Sequence, residues 1–282
     1  AGGSPRTALG VVDGSAPTLQ SLAAGQAEIG LPGPAPVLAA RARGVDVVFI
    51  FNHFAQSVFG LVVREESPYQ SPADLKGKVI GVGTADGAEV GFTRAILNDL
   101  GMEEGTDYEF LPVGDGGPAT AAFQRGDIEA YAAAVSDAAI LNARGMRVRE
   151  ITPKEYLAYF GNGYAVMRSY MDEHPEVIEG FGRALVRATE FGMDPANEER
   201  VLEHTTAGNP QEGEDKAFAA ALLEAIKGRL TPADPDKGWG YQPPEHWELW
   251  HESQVASGAL TEPLPDLEAA YTNQFVETWN AR

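Results

Sequence analysis

Apolar and polar positions follow two rhythms over residues 1–163. Short apolar runs bounded by Gly, Pro or polar residues read as strands, and segments of about ten residues with apolar positions three and four apart read as helices. Ser15-Ala16-Pro17 predicts the first helix, with Ser as N-cap, Leu19, Leu22 and Ala23 on its apolar face, and Gly25 as its stop. Ala27–Leu31 reads as a strand, Pro32-Gly33-Pro34 as a turn, and Val37, Leu38 and Ala39 as part of a helix ending at Gly44. Val45–Phe51 (VDVVFIF) is β-branched, too short for a helix, and suited to a buried parallel strand. Further strands are expected at Ser57–Arg64, Lys78–Val82, Tyr108–Val113, Ile128–Ala134 and Val148–Ile151. Helices are expected at 88–100, at 118–125, and from Ser136, as cap, to Ala143. Beyond Gly163 the rhythm changes. Tyr164–Arg168 reads as one strand, and helices follow at about 172–193, 197–206, 214–228, 243–258 and 266–279, broken by the Pro/Gly-rich stretch 230–244. Strands alternating with helices imply βαβ units and parallel sheets.

Length and composition narrow this picture. A chain of 282 residues buries most of the apolar surface its unfolded form exposes, so it needs neither disulfide nor metal to fold. No apolar stretch approaches the ~20 residues of a membrane-spanning helix. Acidic residues number 41 against 21 Lys and Arg, a net charge of −20 that repels nucleic acid phosphates and anionic membranes. The absence of cysteine removes disulfides, Cys-ligated zinc, iron–sulfur clusters and thiol nucleophiles. The five histidines (53, 174, 204, 246, 251) show no HExxH-type spacing, and no G-x-S-x-G elbow is present. No signal peptide is visible; the chain opens on the loop-like Ala1-Gly2-Gly3-Ser4-Pro5.

Four segments carry a family resemblance. Ser71–Gly101 is similar to the start of the second lobe in solute-binding proteins for sulfonates, nitrate, taurine and thiamine-pyrimidine precursors (S-x-x-D-L-K-G-K-x-[IV]-[GA]-V, a glycine-rich loop, a helix, then L-G). Thr18–Gly44 resembles the family's L-x-A-L-x-[AS]-G-[EQ]-x-D-[IV]-[GA] run, Ala121–Leu141 its A-L-x-x-G-x-[VI]-D-A strand and ligand loop, and Asp172–Phe191 the helix after the return crossover. The resemblance covers most of residues 11–195. It implies a two-lobed type II periplasmic-binding-protein fold, each lobe a mainly parallel sheet flanked by helices and hinged by two crossovers. Lobe 1 would comprise 1–65 and a mostly helical 161–282, and lobe 2 would comprise 66–160. Two departures stand out. The family's opening strand–loop–helix with its G-Y-F-x-x-x-G-[LI] run has no counterpart here, and its aromatic–acid–Pro run is replaced by Ala134-Val135-Ser136-Asp137.

Ligands of open α/β sheets bind beyond the C-terminal strand ends, where helix N-termini present backbone N–H groups. The loops in that position supply Gly33, Pro34, Phe54, Gln56, Thr84, Asp86, Gly87, Ser136, Asp137, Asn162 and Tyr164 as expected ligand-binding residues. Gly83–Gly87 is the most site-like, since glycines allow close backbone approach, although an ordinary helix cap has the same composition. Phe54, Phe59, Tyr159, Phe160 and Tyr164 are candidate stacking faces, or core. None of these loops carries Lys or Arg, and Asp86, Glu89 and Asp137 are acidic. Each carboxylate a few ångströms from a bound anion repels it by ~1–4 kcal/mol, and a helix dipole returns only ~0.3–1 kcal/mol.

The expectation is therefore an extracytoplasmic, monomeric, solute-binding component of an ABC importer with no cofactor, no bound metal and no catalysis. Its partners would be a small molecule and a membrane-embedded ABC permease, not nucleic acid. The molecule would be neutral or cationic, with ring or amide character such as a pyrimidine or flavin, captured by hinge closure; a sulfonate, taurine or nitrate is the alternative. Two other classes share the architecture. A thiamine-pathway pyrimidine synthase uses a cysteine cluster and iron, and this chain has no cysteine. The effector domain of a transcription regulator would come with a helix-turn-helix or basic stripe, and neither is present.

Overall fold

The computed structural model describes residues 8–10, 12, 14–85, 88–114, 117–208 and 215–281. They form two compact units, one of Ala1–Gln56, Tyr159–Met193 and Thr231–Arg282, the other of Ser57–Ala158 and Asp194–Leu230.

The first unit is built on a three-stranded sheet in the order β1 (Ile29–Gly30), β8 (Tyr164–Met167), β2 (Val47–Phe51). All five residues of β2 are buried, as its unbroken apolar run requires. Phe49 faces Leu38, Phe160 and Trp247, with its ring 5.7 Å from that of Phe160 and 5.2 Å from that of Trp247. Val48, Ile50 and Phe51 pack instead with Val166, Ile178 and Trp279. Side chains of this size contribute roughly 1.5–3 kcal/mol each when fully buried. The helices are α1 (Ser15–Ala23), α2 (Pro34–Ala42), α6 (Arg168–Glu173), α7 (Pro175–Met193), α10 (Pro244–Ala256) and α11 (Val276–Asn280). Gln242 is wholly buried. Its backbone N–H donates to Asn273 Oδ1 (2.9 Å), its Nε2 to the Phe49 and Thr272 carbonyls (3.2 and 2.9 Å), and its Oε1 accepts from Trp247 Nε1 (3.2 Å).

The second unit holds a five-stranded sheet in the order β5 (Tyr108–Pro112), β4 (Lys78–Val82), β6 (Ala130–Ala134), β3 (Phe59–Arg64), β7 (Val148–Glu150). β4 runs parallel to β5 and β6, and β3 antiparallel to β6 and β7. Its helices are α3 (Ala88–Asp99), α4 (Gly117–Arg125), α5 (Val135–Ala143), α8 (Glu198–Gly208) and α9 (Lys216–Lys227). The residues packed in this core are smaller: Ala119, Ala122 and Ala133 with Phe123 and Leu141 in one cluster, and Ala130 and Ala132 with Ile80, Val82 and Leu97 in another.

Several expectations are corrected. The second unit begins at Ser57 rather than 66, because β3 pairs with β6 and β7. It also takes residues 194–230, whose α9 packs against α5, so the chain passes between units at four points instead of two. Within the first unit both neighbours of β8 are antiparallel to it, so β2 is paired antiparallel within its sheet and has a parallel partner only in the isolated bridge from Phe49 to Tyr271 among the described residues; β8 is the return strand and runs opposite to both. The 172–193 helix is split at His174, which precedes Pro175 and takes a non-helical φ of −133°. The 266–279 segment is not one helix. Tyr271 is extended and bridges Phe49, and Thr272 N–H donates to the Phe49 carbonyl at 3.0 Å, which leaves a short 3₁₀ turn before it and α11 after it.

Candidate functional site

In the first unit the antiparallel β8 places its own start beside the C-terminal ends of β1 and β2. Three loops that are distant in sequence therefore share one sheet edge, and backbone hydrogen bonds join them. Phe54 N–H donates to the Asn162 carbonyl (3.1 Å), Gly161 N–H to the Phe54 carbonyl (2.8 Å) and Gly163 N–H to the Pro32 carbonyl (3.2 Å). Asn162 Nδ2 donates to the Leu31 carbonyl at 3.2 Å. A Cβ on Gly33 would lie 3.6 Å from Asn162 Oδ1. The structure thus brings Gly33, Pro34, Phe54, Asn162 and Tyr164 together, with Gln56 half-buried at the end of the same segment.

Three residues outside the expected set join them. Ser15 does not cap its own helix: Gly14 holds the N-cap position, and the Ser15 hydroxyl accepts from Gly33 N–H at 3.0 Å. His53 lies edge-on between two rings, 4.9 Å from Phe54 at 73° and 5.6 Å from Tyr164 at 69°. Burial lowers its pKa to about 4, so the imidazole is neutral at pH 7. Burial likewise raises the Tyr164 hydroxyl above its usual range. Asn52 is 3% exposed, and both polar atoms of its side chain lack a hydrogen-bond partner among the described residues. Such a group costs about 1–3 kcal/mol until something pairs with it. His53 and Asn52 stand directly after the VVFIF strand, a position that marks them in the sequence, while nothing local distinguishes Ser15 from a cap. Phe160, 1% exposed against Phe49 and Trp247, is core, and Phe59 faces Phe92 at 6.2 Å.

In the second unit β4 and β6 end side by side in parallel register, which sets Thr84 and Ser136 at the same edge. Thr84 is exposed, Ser136 and Asp137 are half-buried, and Asp86 and Gly87 lie outside the described residues. Ser136 is not the cap of α5. Ala134 holds that position and donates its N–H to Asp137 Oδ2 at 3.0 Å. At the neighbouring loop, Glu89 Oε1 accepts from Gly83 N–H at 3.2 Å and from Thr84 N–H at 3.5 Å. Backbone N–H groups beside the starts of two helices, the kind that could hold an anion, thus already face carboxylates of the same chain.

A cation also arrives from outside every motif. Arg229, 9% exposed, lines a cavity of about 80 Å3 with Ala133, Ala134 and Val135. Its Nη2 donates to both oxygens of Glu150, at 2.9 and 2.8 Å, so its charge is compensated. Among the described residues no group of three or more His, Asp or Glu side chains could hold a metal ion. No helix there is long and apolar enough to cross a membrane.

Comparison with known proteins places this arrangement. A family model described as NMT1/THI5 like matches residues 9–198. The riboflavin-binding protein RibY of Chloroflexus aurantiacus is 25% identical over 241 residues, 85% of this chain and 68% of that protein. The putative aliphatic sulfonates-binding protein of Escherichia coli is 29% identical over 167 residues, 57% of this chain and 50% of that protein. The crystal structure of the periplasmic aliphatic sulphonate binding protein SsuA from Escherichia coli superposes with a TM-score of 0.68 at 19% identity, covering 91% of this chain and 79% of that one. The desulfurization enzyme DSZB superposes with a TM-score of 0.58 at 18% identity, covering 89% and 84%. These likenesses show the periplasmic-binding-protein fold, one that carries enzymes as well as binding proteins.

Proposed function

The chain belongs to the NMT1/THI5-like family, and we propose that it is the solute-binding component of an ABC importer, taking a neutral, ring-bearing molecule. The observation that carries the ligand class is the pairing of Glu89 with Gly83 and Thr84 and of Asp137 with Ala134. At the loop edge of the second unit an anion would have to displace a carboxylate from each pair of loop and helix start, and at that of the first His53 carries no charge to hold one. Arg229 is already bound by Glu150. A buried anion without a counter-charge loses its hydration uncompensated, whereas a neutral ring meets Phe54, Tyr164 and the amide of Asn162. The name of the Chloroflexus relative supports a flavin-like solute. This reading places the chain outside the cytoplasmic membrane, with an integral-membrane permease as its partner, and assigns it capture without chemical change.

Thermal-shift and calorimetric titration of the purified protein tests the reading. Riboflavin or a pyrimidine is expected to stabilise it, while taurine, nitrate and alkanesulfonates leave its melting temperature unchanged. Stabilisation by the anions alone would overturn the ligand class. Recovery of a chemically altered ligand after long incubation would overturn the assignment as a binding protein.

A further inference from the structure

We propose that His53 is the specificity-determining residue of this site, pairing through its imidazole with a ring edge that presents a carbonyl beside an N–H, as a flavin or an oxopyrimidine does. The inference rests on the ligand class proposed above and names the group that reads it.

Three observations converge on His53. It follows β2 directly, in the loop whose next residue is hydrogen-bonded to Gly161 and Asn162, so its backbone is held by β2 on one side and that pairing on the other. Its ring is oriented by Phe54 and Tyr164, and Tyr164 is itself packed at 5.1 Å on Phe181. Neither imidazole nitrogen hydrogen-bonds to a described residue, and the side chain is half-buried. An imidazole oriented by two rings, with neither nitrogen bonded to a described residue, can offer one of them to a ligand.

The chemistry of that partner follows from the charge state. A neutral imidazole has one donor and one acceptor nitrogen, whereas an imidazolium has two donors and suits an anion. With its pKa near 4 the ring is held in the neutral form. One nitrogen can donate to a ligand carbonyl, or the other can accept from a ligand N–H, and the ring can take either tautomer to match. Asn162 Oδ1, which accepts from no described residue, adds an acceptor on the same sheet edge.

The test is riboflavin titration, by fluorescence quenching, of the wild-type chain, His53→Leu and His53→Gln. His53→Leu keeps an apolar body and removes both nitrogens; it is expected to weaken binding roughly ten-fold or more, the loss of one hydrogen bond from a desolvated site. His53→Gln restores a neutral donor and acceptor and is expected to recover most of that loss. If wild type binds riboflavin and His53→Leu binds it equally well, the role of His53 is overturned while the ligand class stands. If Leu and Gln variants weaken equally, His53 acts by packing and the inference is again overturned. If wild type binds no neutral ring compound, the ligand class falls and this inference falls with it. Imidazole 15N resonances of the unsubstituted protein give a readout independent of variant folding. His53 nitrogens are expected to shift on riboflavin addition, and resonances that bound riboflavin leaves unmoved would overturn the pairing.

Discussion

The two units finish the same kind of sheet edge in opposite ways. In the first, the loops beyond β1 and β2 are joined to the approach to β8 through backbone amides and carbonyls, and the side chains of His53 and Asn52 and the Asn162 Oδ1 atom bond no described residue. In the second, acidic side chains reach back to the loop and cap amides through Glu89 and Asp137. The cores differ in parallel. Phe49, Phe51, Phe160, Trp247 and Trp279 fill the first unit, and alanines with Val, Ile and Leu fill most of the second. Large rings leave little room to relax, so the first unit offers a rigid, unsatisfied surface. The second offers a satisfied one that disfavours negative charge. On the proposed reading, the first edge would select the ligand and the second would turn anions away.

The largest effect that would sharpen this contrast is steric. A Cβ on Gly163 would run into the Phe49 ring and the Phe51 carbonyl, neither of which can yield. On Gly81 it would meet Ile128 Cδ1 at 2.6 Å, Tyr131 Cδ2 at 3.1 Å and Val113 Cγ2 at 3.2 Å, all side-chain atoms and none of them backbone. Gly163→Ala is expected to cost about 3 kcal/mol or more and Gly81→Ala roughly 1 kcal/mol in urea denaturation, since overpacking hurts most where neighbours cannot shift. Equal costs would break the distinction between a rigid and a yielding core.

Acid is expected to act next most strongly, and through the first unit. His53 binds a proton near pH 4 when folded and near 6.5 when unfolded. The unfolded chain therefore holds more protons between those values, and stability falls as pH drops from about 6.5 towards 4. The His53 contribution between pH 7 and 5 is about 2 kcal/mol by linkage. His246, also lowered by burial, pulls the same way. Denaturation curves at pH 7 and 5 for wild type and His53→Leu check this. An identical pH dependence in the two proteins would show that the ring is not held neutral.

The smallest effect tests the capped loops. Glu89→Ala is expected to cost roughly 0.5–1 kcal/mol, as the loss of a cap usually does. It should also allow sulfate or methanesulfonate to raise the melting temperature where the wild type shows no response. A variant that stays indifferent to anions would mean that Glu89 is not what keeps them out.

Much of this was legible along the chain, for reasons that are local. The all-buried VVFIF strand, the helix stops at Gly25, Gly44 and Gly101 with their positive φ, and the alternation of strands and helices follow from side-chain branching and backbone freedom that neighbours scarcely alter. The capping roles of Ser15 and Ser136 were less legible, because a hydroxyl beside a helix start bonds whichever N–H lies closest. For Ser15 that is Gly33, eighteen residues away. The aromatic neighbours of His53 were hidden too, since Tyr164 reaches it only through the return strand.

The class of fold, the absence of thiol chemistry, the surplus of negative charge and most of the loops that carry the candidate site can be read along the chain alone. Each depends on composition or on intervals of a few residues. The tertiary structure decided that β8 runs antiparallel between β1 and β2, that residues 194–230 join the second unit, and that Arg229 spends its charge on Glu150. It also decided that burial lowers the pKa of His53 and that its imidazole bonds no described residue. These depend on which groups meet across long separations and how far water is excluded from them, and burial and pairing of charge are properties of that assembled neighbourhood rather than of any residue within it.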